Sequence, residues 1–353
     1  MELNHYIKQK GIKIIDLARS LKLDPSLLSR AFSGQRKLQA VQIKKIAVLI
    51  EMPFEELQAH FLALEVQKIL QPYPKLVNKV FTLTEERIAY LSGKKRNQKV
   101  QLPPKLEVLL VTLSELQQQW QAQKPLETSQ LQKLQSYFNL AYTYESNRIE
   151  GNTLSLQETN LVVNEGITVG GKTLQEHLEA INHQEAIHFI EQLVVNLQTF
   201  NKSVLLQLHR LILMGIDTKN AGVYRTVEVR ISGSKHVPPS PLLLNDLMDG
   251  YFEFYELNKR TMHPVLLAAE MHERLVTIHP FIDGNGRTAR LVMNLVLLQN
   301  GYTLVNIKGN LKNRLKYYQA LEQVQLNHEH TEFFKLILSS AEKSLLQHLE
   351  LAG

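Results

Sequence analysis

Apolar positions recur at helical spacing along most of this chain. Leu131, Leu134, Phe138, Ala141 and Tyr142 give one apolar face to a helix that begins near Thr128. Thr173 to Leu193, Ser203 to Met214 and Pro264 to Ile278 repeat the pattern, and Leu291 to Leu298 is an apolar run that Asn300-Gly301 can cap. Nearer the start, Ile14 to Leu21 is a short amphipathic segment that Lys22-Leu23 breaks, and Asp24-Pro25 opens the next helix as N-cap and first-turn proline. That helix, Ser26 to Phe32, ends near Ser33-Gly34, and Val41 to Ile50 follows. Residues 61–127 are helical but punctuated by Gln71-Pro-Tyr-Pro74 and Gln101-Leu-Pro-Pro104, with Lys94-Lys-Arg-Asn-Gln-Lys99 as a basic surface loop. One segment departs from the helical rule. Val227-Glu-Val-Arg-Ile231 alternates with period two, Ser232-Gly-Ser234 signals a turn, and Lys235-His-Val237 returns before Pro238-Pro239, which predicts a β-hairpin within 226–239. A hairpin this small has no core of its own and must lie over something. The expected fold class is therefore all-α with one small β-hairpin, divided into 1–60, a helical connector 61–127 and a domain over 128–345.

Composition narrows this picture only a little. A chain of 353 residues, 44% hydrophobic and 21% charged, has room for two or three ordinary domains. No apolar run approaches the roughly 18 residues of a membrane span, so no membrane partner is expected. The opening residues Met-Glu-Leu-Asn-His-Tyr lack a basic segment followed by an apolar core, so no secretory signal is expected and the cytoplasm is the default compartment. The absence of cysteine excludes disulfides and cysteine–zinc sites. The net charge of +6 is mild, but residues 1–60 hold ten Lys/Arg against six Asp/Glu and so supply +4 of it. That excess is compatible with a nucleic-acid contact.

Chemistry concentrates in His279-Pro-Phe-Ile-Asp-Gly-Asn-Gly-Arg-Thr-Ala-Arg290. Gly284 and Gly286 let backbone N–H groups come close to an anion, and the helix that follows adds the positive end of its dipole. Arg287 and Arg290, three apart, share one helix face and can grip a polyphosphate. Asp283 is a hard oxygen ligand suited to Mg2+, and His279 is the group that can take a proton near neutral pH. Upstream, Gly151 predicts the end of the helix begun near Thr128 and leaves Glu150 in its last turn, where the helix dipole disfavours a carboxylate by a few tenths to about 1 kcal/mol. Such a carboxylate fits a wet surface, or a place with a cation opposite.

The loop string resembles, position for position, the Fic family signature His-x-Phe-x-(Asp/Glu)-Gly-Asn-Gly-Arg-x-x-Arg, within a likeness covering roughly 128–345. The resemblance implies transfer of AMP from ATP to a Ser, Thr or Tyr hydroxyl of a target protein, with the chain itself as one candidate target. In that reading His279 is the base and Asp283 holds Mg2+ across the α- and β-phosphates. Gly284, Asn285 and Gly286 form the anion hole, helped by the Asn285 amide, and Arg287 and Arg290 take the β- and γ-phosphates. Phe281 is structural. The hairpin, flanked by Gly222-Val-Tyr-Arg225 and His236-Val-Pro-Pro239, resembles the family's flap, so that Val229, Arg230, Ile231 and Ser232 would cover the nucleotide and a target segment could add to its edge. Tyr317 and Tyr318 would contact adenine, and Gln325 departs from relatives that carry asparagine there. Gly286 stands where phosphorylating Doc-like relatives typically have lysine, which favours nucleotidyl transfer. Ser146, Glu150 and Gly151 match the family's inhibitory motif (Ser/Thr)-x-x-x-Glu-(Gly/Asn), which implies an inhibitory helix over 128–151 with Glu150 paired to Arg290. Arg290 cannot then hold the γ-phosphate as well.

The first 60 residues resemble a Cro/repressor-like helix-turn-helix, with Leu17-Ala18 in the first helix and Leu23 in the turn. The resemblance implies that Ser26, Ser29 and Arg30 face a major groove and that Arg36 or Lys37 meets phosphate. The alternative for this module is protein interaction. Three further readings stay open on the sequence: a DNA-binding regulator whose Fic domain only senses nucleotide, an enzyme using another donor, and one that removes AMP. A homo-oligomer is compatible with all of them.

Overall fold

The computed structural model describes residues 3–94, 102–123 and 128–352, and the chain divides into two compact units, residues 1–88 and 89–353. Among the described residues every regular element is helical.

The first unit contains α1 (Leu3–Gln9), α2 (Ile14–Leu21), α3 (Pro25–Phe32), α4 (Ala40–Leu49) and α5 (Phe54–Leu70). The capping chemistry read from the sequence is present. Lys22 turns left-handed at φ 54° to end α2, and the Asp24 side chain accepts from the Ser26 N–H at 2.7 Å while Pro25 fills the first turn of α3. Leu17, Leu28, Phe32, Ile46, Leu57 and Phe61 close one core. That core includes α5, so the stretch expected as a connector supplies helices to both units. Helix α6 (Val77–Lys94) spans the division, and all of the basic stretch 94–99 beyond Lys94 lies outside the described residues, as does Gln101.

The second unit begins its described core with α7 (Pro104–Ala122), whose Leu106, Leu113, Leu116 and Trp120 are buried in it. It continues through α8 (Thr128–Glu150), α9 (Leu156–Asn164), α10 (Leu174–Val195), α11 (Lys202–Ile212), α12 (Leu244–Asn258), α13 (Pro264–Ile278), α14 (Asn285–Gln299), α15 (Leu311–Asn327) and α16 (Thr331–Ala352). Helices α13 and α14 are buried on nearly every face and form the central pair, with polar residues such as Glu273, Arg290 and Asn294 buried among the apolar ones. Asn300 and the left-handed Gly301 end α14 as the pattern predicts. Gly151, at φ 103°, ends α8: the Gly151 and Asn152 N–H groups return to the carbonyls of Arg148 and Asn147.

The expected β-hairpin does not form. Residues 226–239 contain the turn, with the Ser234 N–H on the Ile231 carbonyl at 3.2 Å, but no strand. The two arms bond to the body of the domain and not to each other. Arg225 Nη1 donates to the Val227 carbonyl, the Lys235 N–H donates to Glu322 Oε1, and His236 Nε2 donates to the Thr277 carbonyl. Period-two alternation survives as half-buried Val229 and Ile231 between exposed Arg230 and Ser232. A short extended segment can alternate without a partner when side chains from neighbouring elements take up its polar groups.

Candidate active site

His279 lies where α13 stops. Its φ of 51° is the left-handed cap that turns the chain into the loop, and its N–H still reaches the Leu275 carbonyl at 2.9 Å. Nδ1 faces the Val276 carbonyl at 3.2 Å. A carbonyl only accepts, so Nδ1 carries the proton and Nε2 is left as the basic nitrogen. Burial first, then the neighbouring Arg225 charge, pushes the imidazole down to about 4 against the pull of the Val276 bond, so the ring is neutral at pH 7.

The loop is locked from inside. Phe281 is fully buried and stacks on His209 with centroids 3.6 Å apart. His209 accepts the Gly222 N–H at Nδ1 and donates from Nε2 to the Asp283 carbonyl, a pair of bonds that fixes the neutral tautomer. Burial lowers its pKa to about 4. The Asn285 side chain accepts from the Phe281 N–H and donates to the Phe281 carbonyl, at 3.0 and 2.9 Å. Both ends of that amide are therefore engaged within the loop, and what Asn285 offers an anion is its backbone N–H. Gly284, at φ 77°, carries the chain into α14, whose first N–H groups have no acceptor within the helix.

Above that helix end sits Glu150. Arg290 Nη2 donates to Glu150 Oε1 at 2.7 Å, and Arg290 also donates from Nε to Ser146 Oγ and from Nη2 to the Ser146 carbonyl, both at 2.9 Å. The arginine is 1% exposed and the carboxylate about a third exposed, at 32%. Burial alone would raise the Glu150 pKa, but Arg290 and then Arg287 override it and hold the carboxylate below its ordinary range. Burial alone would likewise lower Arg290, and Glu150 outweighs it. A Cβ built on Gly286 would collide with Glu150 Oε1. Glycine there is what allows an oxygen anion to rest on the start of α14.

Arg287 is 3% exposed and lies between two carboxylates, with Nη2 on Asp283 Oδ2 at 3.2 Å and Nη1 beside Glu179 Oε1 at 3.3 Å. Arg287 Nε and Nη1 and Arg290 Nη1 are buried without a hydrogen-bond acceptor among the described residues. Buried donors of this kind are costly unless an acceptor arrives. Asp283 is 58% exposed in its side chain, and no group of three or more His, Cys, Asp or Glu able to hold a metal occurs among the described residues. A single exposed carboxylate suits a cation held jointly with substrate phosphates.

The two tyrosines part company. Tyr317 is buried and its hydroxyl meets His272 Nε2 at 3.0 Å, so it is a core residue and not a ring waiting for adenine. Tyr318 is 39% exposed, and its hydroxyl donates to the Ile149 carbonyl at the end of α8 at 2.9 Å. Three polar residues escaped the sequence reading. Arg225 is buried with Nε on the His279 carbonyl and its backbone N–H on the Pro280 carbonyl, and its other side-chain nitrogens go to carbonyls on both arms of 226–239. His209 and Glu179 were missed because each lies on a helix with several other polar residues, and nothing local marks which of them turns inward. The string Gly222-Val-Tyr-Arg225 was the only cue to Arg225.

Residues 199–297 match the Fic/DOC family. The protein adenylyltransferase Fic of Culex quinquefasciatus is 37% identical over 208 residues, 58% of this chain and 41% of that protein. The one from Nematostella vectensis is 34% identical over 218 residues, 61% and 49% of the two chains. This chain thus spans less than half the length of these relatives. Among solved structures, a Fic domain containing signaling protein from Bacteroides thetaiotaomicron is 28% identical over 68% of this chain and 96% of its own, with a TM-score of 0.62. Fic-1 from C. elegans matches 99% of this chain and 97% of its own at 22% identity and the same TM-score, a likeness of fold. Residues 199–297 therefore carry the likeness to the Fic/DOC family, and the helical architecture around the loop is similar to that of a Fic domain containing protein.

Proposed function

We propose that this chain is a protein adenylyltransferase held inhibited by its own Glu150. The relatives named protein adenylyltransferase Fic support that reading over 58–61% of the chain. The observation that carries it is the carboxylate of Glu150 resting on the start of α14 in the grip of Arg290. An anion already occupies the place where a nucleotide phosphate would lie, a few residues from a neutral histidine.

In the reaction, the oxygen of a Ser, Thr or Tyr hydroxyl on the target attacks the α-phosphorus of ATP. The bond from the α-phosphorus to the bridging oxygen breaks, pyrophosphate leaves, and the hydroxyl proton passes to His279 Nε2. Val276 keeps that nitrogen free by holding Nδ1–H. The N–H groups at the start of α14 would stabilise the charge developing on the α-phosphate. Arg287 and Arg290, with their open donors, would orient the β- and γ-phosphates. Asp283 would hold a Mg2+ ion, which supplies charge neutralisation between the phosphates. The 226–239 segment, anchored by Arg225, would cover the nucleotide through Val229, Arg230, Ile231 and Ser232, and Tyr318 would edge the adenine side.

ATP carrying label on the α- or the γ-phosphate tests the reaction type. The Glu150→Gly variant is expected to transfer the α-label to protein and release the γ-label, and His279→Ala in the same background to transfer neither. Transfer of the γ-label, or no transfer from several nucleotides, overturns the reading.

For the first unit we propose a helix-turn-helix with α3 as the reading helix. Ser26, Ser29, Arg30 and Arg36 are exposed, which supports it. Arg30 lies back on Ser26 at 3.2–3.3 Å and Lys37 pairs with Glu65 at 3.0 Å, so both would have to exchange partners to meet DNA. A mobility shift whose salt dependence weakens in Arg36→Ala supports phosphate contact there; no shift at low salt removes it.

A further inference from the structure

A second carboxylate reaches into the site from behind, and its consequence is opposite to that of Glu150. Glu179, on α10, is itself largely buried, with 11% of its side chain exposed. Oε1 lies 3.3 Å from Arg287 Nη1 and accepts from Gln175 at 3.1 Å. Oε2 accepts from Asn152 Nδ2 at 2.9 Å. Asn152 follows the turn that ends α8, and its Nδ2 also donates to the Glu176 carbonyl. Asn147, one turn before Glu150, donates to the Glu179 carbonyl at 3.2 Å. The same stretch of chain that aims Glu150 at Arg290 thus fixes the carboxylate that faces Arg287.

The two carboxylates differ in where they stand. Glu150 rests on the start of α14, where Gly286 leaves room, and its oxygen takes an Arg290 donor that a phosphate would need. Glu179 does not hydrogen-bond the Arg287 fork: Nε and Nη1 remain without an acceptor, although the charge pair is close. It therefore orients and neutralises the guanidinium while leaving donors open. The other neighbour of Arg287 is Asp283, exposed at the mouth of the loop. With Glu150 removed as well, a guanidinium that lacks the Glu179 charge is balanced by Asp283 alone and is drawn outward to it, away from the helix start. The existing bond from Arg287 Nη2 to Asp283 Oδ2, at 3.2 Å, would then tighten and hold Asp283 more firmly.

Resting on the nucleotide reading above, we propose that Glu179, braced by Asn152, is the positioning residue that keeps Arg287 ready for the β-phosphate of a nucleoside di- or triphosphate. Removing Glu150 opens the site; removing Glu179 disarms it.

Binding resolved by phosphate number tests this apart from any turnover. With Glu150→Gly as background, calorimetric titration is run with AMP, ADP and ATP in the absence of target, and repeated after adding Glu179→Gln. The expected result is about tenfold weaker ADP and ATP, the loss of about 1.4 kcal/mol, with AMP unchanged because it has no β-phosphate to lose. Equal weakening of all three marks a merely structural role and overturns the proposal. So does no change, or tighter ADP and ATP, which would make Glu179 a second inhibitory contact. If the Glu150→Gly background itself binds none of the three, the nucleotide reading fails and takes this proposal with it. Where Glu179→Gln does not fold, Asn152→Ala removes the brace and leaves the carboxylate; the same ADP-over-AMP loss, smaller, is expected, and an unchanged ratio overturns it.

Discussion

At the scale of single residues, the site turns on one missing side chain. Gly286 has ordinary helical backbone, so its glycine is required by space and not by strain: a Cβ there would meet Glu150 Oε1 and, at 3.2 Å, Arg290 Nη1. Gly286→Ala is expected to abolish labelling even in the Glu150→Gly background, because the methyl group stands where the phosphate must; retained labelling in that double variant contradicts the anion seat. His279 makes a second prediction at this scale. Its free-enzyme pKa is near 4, and the base works only when neutral. The acid limb of kcat/KM in Glu150→Gly is therefore expected well below the ordinary 6.5 of histidine, with activity lost as pH falls toward about 4. An acid limb at 6.5 or above would show that burial does not set the titration. The loop residues were legible because a phosphate cradle needs glycines, arginines and a base in one short string. The partner of each arginine was less legible: Glu150 came from a resemblance, and Glu179 could not be found from a lone carboxylate on a helix.

At the scale of elements, α8 behaves as a part that must be held in register for Glu150 to reach Arg290. Gly309 packs closely against its backbone, since a Cβ at 309 would lie 2.8 Å from the Glu145 carbonyl oxygen, 2.9 Å from Arg148 Cβ and 3.1 Å from the Ile149 nitrogen. Glu145 accepts the Gly309 N–H at 2.7 Å and pairs with Lys308 at 3.2 Å, and Tyr318 ties down the Ile149 carbonyl. Two of the three close atoms are backbone and cannot swing away. Gly309→Ala is expected to push the end of α8 aside, costing about 1–3 kcal/mol by overpacking and raising labelling by the otherwise wild-type chain. A lower melting temperature with unchanged labelling would mean that α8 is not what aims Glu150. The helices themselves were readable from periodicity and caps, as Asp24, Gly151 and Asn300 illustrate. The 226–239 segment was misread for a physical reason. Alternation reports that one side of a chain is covered, and Arg225, Thr277 and Glu322 cover it here without any partner strand.

At the scale of the whole molecule, the second unit is built around a buried pair that carries its own liability. Glu273, on α13, is raised to about 7 by burial and by the neighbouring Glu270. A carboxyl raised in the folded state contributes stability that is complete below its unfolded value near 4.5 and is lost as pH rises through about 7. Glu273→Gln is expected to raise the melting temperature by a few degrees at pH 8 and to leave it unchanged at pH 4; equal effects at both pH values would remove titration as the cause. The unit division was only partly legible, because amphipathic helices such as α5 and α7 do not declare from sequence which core they will cover. Inhibition, as proposed, rests on Arg290 being unable to serve Glu150 and a nucleotide together. Its most direct measurement is the rate of protein labelling from α-labelled ATP by wild type and by Glu150→Gly, side by side. The rate for Glu150→Gly is expected to be at least tenfold above wild type, and equal rates would contradict inhibition by Glu150.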